Sequence, residues 1–62
     1  MSALDFELDD AVLVRRGWRS GQVGIVEEID ESDALLPYGV DLGTGPLVWF
    51  GPEDLKPADG AR

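Results

Sequence analysis

The sequence predicts an all-β domain, a small closed barrel of about five short strands with one 3₁₀ turn before the last. Three observations carry that prediction. β-branched and aromatic residues gather in short alternating runs, as in AVLV, YGVDL and LVWF. Turn signals rich in glycine, serine and aspartate separate those runs at close intervals. No stretch holds the three-to-four-residue apolar period of a helix long enough to pack.

Ala11 to Arg15 is the first strand, with Val12 and Val14 on one face. RRGWRSG, whose glycines are Gly17 and Gly21, is a loop. Gln22 to Ile29 is the second strand. Val23 and Ile25 alternate there before Val26 and Ile29 carry on, which predicts a bend or bulge near Gly24. The polar loop 30–37 ends in an apolar Leu-Leu-Pro. Tyr38, Val40 and Leu42 then alternate along a half-buried strand, which predicts Tyr38 as partly core with its hydroxyl at the edge. Gly43-Thr44-Gly45 is a tight hairpin turn. Leu47 to Phe50 is the next strand, with Phe50 in the core and Trp49 on the opposite, outward face. Pro52 to Leu55 forms a single helical or 3₁₀ turn, and Lys56-Pro57 closes the set. A sheet this small hides its edges by closing on itself.

The organisation is one domain over residues 9–57. An acidic segment, 1–8, precedes it, and a flexible tail, 58–62, follows. Leu4, Phe6 and Leu8 alternate with acids, so that segment is either a short edge strand or a tail that packs Phe6 on the domain. A chain of 62 residues buries only about 60% of its unfolded surface. With no cysteine and no histidine, disulfides are excluded and zinc is not expected. Stability must then come from apolar packing or from a partner, and a single core of this size rarely supplies more than roughly 3–5 kcal/mol.

Thirteen acidic against five basic residues give a net charge of −8. That balance argues against extended nucleic-acid contact and against anionic lipid. No apolar run approaches the roughly 20 residues of a membrane span, and MSALDFELDD lacks the basic and apolar regions of a signal peptide. The expectation is a cytoplasmic protein.

Within this acidic chain, Arg15, Arg16 and Arg19 crowd around Trp18. Arginine and tryptophan are enriched at binding hot spots, so with outward Trp49 they form the candidate partner-binding set. Two bland alternatives stand beside this. The arginines could pair across strands with Glu27, Glu28 or Asp41, and Trp18 could fold back as a lid on the core. A different surface is offered by Glu27, Glu28, Asp30, Glu31 and Asp33, with Asp5, Glu7, Asp9 and Asp10, which could imitate a nucleic-acid backbone and fill a basic groove on another protein. Ordinary solubility charge is the plainer reading. Trp49 and Tyr38 with nearby acids would also suit a methylated cation.

Catalysis has little to work with. With no histidine or cysteine, the hydroxyls Ser2, Ser20, Ser32 and Thr44 have no obvious activating base, and a barrel this small normally fills its interior with side chains. The run Asp30-Glu31-Ser32-Asp33 is not an EF-hand, since Leu35 stands where the loop needs glycine. No enzyme activity, metal or cofactor is expected.

The order of AVLV, a basic loop, Gly21-x-x-Gly24-x-Val26, EEID, YGVDL, a glycine turn, VWF and Glu53-Asp54-Leu55 resembles the SH3-like small barrels. These include KOW and Tudor-type modules, the CarD-type RNA-polymerase-binding domain and the photosystem I subunit PsaE. The resemblance spans roughly residues 9–57. It implies a barrel used as an interaction surface, an accessory module with a protein partner. SH3 domains that bind polyproline carry an ALYDY-like motif where this chain has RRGWRSG, and KOW modules that bind RNA are usually basic. The resemblance therefore extends to neither ligand, although a nucleic-acid-binding KOW or Tudor-type domain stands as a third reading.

Overall fold

A computed structural model of the chain describes residues 6–58. The expectations for Leu4 and for the tail beyond 58 lie outside them. The described residues are all-β, with strands β1 (Ala11–Val14), β2 (Val23–Ile29), β3 (Tyr38–Asp41), β4 (Val48–Phe50) and β5 (Leu55–Pro57). A 3₁₀ turn, Pro52–Asp54, stands immediately before β5. The strands make one antiparallel sheet in the order β4-β3-β2-β1-β5. The first four form a meander, and β5 returns to pair beside β1 through Val12–Pro57, Leu13–Lys56 and Val14–Leu55.

The strands match the apolar runs but are trimmed at their ends, so Arg15, Gln22, Leu42 and Leu47 fall in loops. The irregularity in β2 is not at Gly24. The ladder with β3 steps from Val26–Val40 to Glu28–Gly39, so Glu27 is the extra residue of a bulge. Gly24 pairs regularly with Val12 and serves close packing instead. A β-carbon there would lie 2.6 Å from the Asp41 carbonyl oxygen and 2.6 Å from Val40 Cγ1. The bulge also explains the shifted apolar spacing. Gly24 and Val26 face inward, and Ile29 packs on the core beyond the extra residue, while Val23 and Ile25 face outward.

Every strand contributes to a single core. Val12, Val14, Val26, Tyr38, Val40, Phe50 and Leu55 are buried in one cluster with Phe6. No second layer covers them among the described residues, so the sheet must wrap around its own inner face, consistent with a small barrel. Tyr38 is wholly buried rather than at the edge, and its hydroxyl accepts the Phe6 N–H at 3.3 Å. The Phe6 and Tyr38 rings meet edge to face, with centroids 5.3 Å apart.

Of the two arrangements of the N-terminal segment, the packed one holds for Phe6. Leu8 is exposed, and no strand forms over the described residues 6–10. The segment is tied to β2 by Asp9 N–H to the Val26 carbonyl, at 2.8 Å, and by Val26 N–H to the Asp10 carbonyl, at 2.9 Å. The β3–β4 connection is longer than a tight hairpin turn, though Gly43 and Gly45 do adopt positive φ within it.

Candidate functional site

The loop between β1 and β2 is built by its own backbone. Gly21 N–H donates to the Val14 carbonyl and Val14 N–H to that of Gln22. At the tip, Ser20 N–H reaches the Gly17 carbonyl. None of these bonds uses a side chain, so Trp18 is not needed to hold the loop. It stands 86% exposed, which rules out the lid arrangement. The Arg19 guanidinium lies over the Trp18 ring at 4.4 Å from its centroid. In an exposed setting that stack is worth about 0.5–1 kcal/mol and holds the two side chains as one unit.

The three arginines have different fates. Arg16 turns away from Trp18 toward the 3₁₀ turn. Its Nε donates to Asp54 Oδ1 at 2.7 Å, and its terminal nitrogen reaches Glu53 Oε1 at 3.3 Å. The partners are therefore Glu53 and Asp54, not Glu27, Glu28 or Asp41. The ladder explains why. At the end of β1, Val14 pairs with Leu55, so the residues following Val14 run beside those preceding Leu55. Arg15 is exposed, and its N–H donates to the Asp54 carbonyl at 2.7 Å. Neither Arg15 nor Arg19 forms an ion pair among the described residues.

Asp54 is the hub of this corner. Its second oxygen, Oδ2, accepts the Gly51 N–H at 3.1 Å. The hydrogen bond from Arg16 holds the Asp54 carboxyl below the usual range, against the opposing effect of partial burial. The same bond raises the Arg16 guanidinium further above neutrality.

Beside this corner opens a groove of about 390 Å³ between Arg16, the loop residues Ala34, Leu35 and Leu36, and the turn Gly51–Asp54. Leu35 is 80% exposed and Leu36 44%. Both are held in place by Asp33, whose Oδ1 accepts their two N–H groups at 3.0 Å. The other wall is fixed to them: a β-carbon on Gly51 would lie 2.5 Å from the Leu35 carbonyl oxygen, so only glycine allows this approach. The groove was not read from the sequence. Its signal was the apolar Leu35-Leu36-Pro37 ending an otherwise polar loop.

Trp49 faces outward, as alternation requires, but is not free. A β-carbon on Gly39 would lie 3.0 Å from the outer carbons of its ring, so the indole rests on the bare Gly39 backbone beside Leu47. Among the described residues no ring contact joins Trp49 to Trp18. The burial of Tyr38 dissolves the pairing with Trp49 around a methylated cation.

Glu27, Glu28, Asp30, Glu31 and Asp33 are all exposed. Asp30 and Asp33 spend one carboxylate oxygen each on their own loop. Asp30 Oδ1 accepts from the Ser32 N–H and hydroxyl, at 3.0 and 2.6 Å. No group of three metal-ligating side chains occurs among the described residues, and no helix there is long and apolar enough to cross a membrane.

No protein-family model matches the chain, and neither a curated protein nor a solved structure is significantly similar to it.

Proposed function

We propose that the chain is a non-catalytic protein-interaction module on an SH3-like barrel, and that the β1–β2 loop with the adjoining groove is its partner-binding face. The meander with a fifth strand returning beside β1, and the 3₁₀ turn before it, support the barrel assignment. One observation carries the functional reading. Trp18, a large apolar side chain, is 86% exposed and braced by Arg19, in a loop that folds without it. A domain with a thin core gains from that arrangement no more than the roughly 0.5–1 kcal/mol of the stack. A partner gains an aromatic–cation anchor of the type that dominates interfaces. The groove supplies neighbouring apolar surface in Leu35, Leu36 and Pro52. Trp49, resting on Gly39, is at most a peripheral contact.

The test is affinity capture from nuclease-treated lysate with the native chain, Trp18→Ala, and an Arg15→Ser, Arg19→Ser double variant. Arg16 is left intact because it holds the 3₁₀ turn. The expected result is a protein captured by the native chain and lost with both variants, which stay folded. A partner retained by both would contradict the reading.

The exposed acids from Glu27 to Asp33 support a second reading, an acidic mimic that fills a basic groove. Glu27, Glu28 and Glu31 form no ion pair among the described residues. That reading expects binding that survives Trp18→Ala and falls steeply with salt. Retention in a low-salt mobility-shift assay would instead favour a nucleic-acid ligand.

A further inference from the structure

The outer face of β1 and β2 carries a separate feature. Alternation turns Ala11, Leu13, Val23 and Ile25 away from the core, and the register sets them in adjacent pairs, Leu13 with Val23 and Ala11 with Ile25. Val23 is 56% exposed, Ile25 37%, and Leu13 is half-buried. β-branched and apolar side chains thus meet solvent on a face where an acidic chain could place charge. The same ladders put Lys56 of β5 beside Leu13, and Asp41 of β3 beside Ile25. An apolar square is therefore bounded by a cation at one corner and a carboxylate at the diagonally opposite corner. Neither charge is ion-paired among the described residues.

We propose that this face pairs with the same face of a second copy of the chain about a two-fold axis. An isologous contact must be self-complementary, and opposite charges at opposite corners meet that condition. The rotation that sets Lys56 of one copy against Asp41 of the other lays Leu13 of one between Val23 and Ile25 of the other. Apolar then meets apolar, and the Lys56–Asp41 charge pair forms twice. A face with two like charges at those corners would repel its own copy. The acids from Glu27 to Asp33 lie beyond these rows, at and past the bulge. The net charge of −8 opposes association, so the dimer tightens as salt screens that repulsion within a Debye length of about 8 Å.

Sedimentation equilibrium of the full chain, at low and at physiological salt, tests this. A reversible dimer that strengthens with salt is expected. Val23→Glu should raise its dissociation constant about tenfold or more, with the strand signal in circular dichroism unchanged. Lys56→Glu and Asp41→Lys should each weaken self-association, and an equimolar mixture of the two should restore it, because the mixed dimer recovers both charge pairs. A monomer throughout overturns the proposal. So does a dimer that Val23→Glu leaves intact, or a mixture no tighter than either variant alone.

Discussion

Asp54 is the residue on which the candidate site converges. Its carboxylate receives Arg16 and the Gly51 N–H, and its carbonyl receives the Arg15 N–H. Because the Arg16 hydrogen bond lowers its pKa in the folded state, the native form holds its charge to lower pH than the unfolded chain does. That contribution to stability is complete above the ordinary aspartate value of about 4 and is lost as pH falls through the lower, folded value. Asp54→Asn should therefore lose less stability than the native chain between neutral pH and about pH 3, measured by thermal melting. Equal losses would contradict the assignment. Trp18→Ala, by contrast, should leave stability from the melting curve within about 1 kcal/mol of native, the loss of the Arg19 stack included. The loop that carries Arg15, Trp18 and Arg19 was legible from its glycines, but the exposure of Trp18 was not, since a lid folded onto the core fitted the same residues. The partner of Arg16 was not, since Asp54 is 38 residues away and only the return of β5 to β1 brings them together.

The β2 strand shows the same division at the level of an element. Its apolar residues were legible as a strand with a defect. Sequence periodicity, however, cannot say which residue is the extra one, because a glycine and a glutamate both fit a bulge. The register answers with Glu27, and Gly24 is then left with a packing role. Gly24→Ala should cost about 1–3 kcal/mol, through collision with the Asp41 carbonyl and the Val40 side chain. Denaturant unfolding measures it, and a neutral effect would mean that the two strands can separate freely. The 3₁₀ turn was legible from Pro52 and the return of Leu55 to the core. Its clasp to β1, which makes it one wall of a groove, depends on tertiary pairing that no local pattern encodes.

At the scale of the whole molecule the core is thin and shared. Phe6 joins a cluster fed by all five strands, and its N–H satisfies the one buried hydroxyl of that cluster, on Tyr38. Phe→Ala in a core typically costs about 3–5 kcal/mol, as much as a single core of this size supplies in all. Phe6→Ala should thus leave the domain largely unfolded at room temperature, read by circular dichroism. A folded variant would show that the N-terminal segment is an ornament rather than part of the core. All-β architecture was legible from the spacing of short runs and turns. The inclusion of Phe6 was only half legible, since alternation with acids fits an edge strand equally well and burial alone separates the two.

Trp18 is held out in water, where the proposed partner would meet it. The most direct measurement is the emission of Trp18 in a Trp49→Phe variant, where it is the remaining indole. Fluorescence and iodide quenching are recorded before and after adding the captured protein. Red-shifted, freely quenched emission is expected from the isolated chain, with a blue shift and protection on binding. Shielded emission from the isolated chain, or free emission that the partner leaves unchanged, would contradict it.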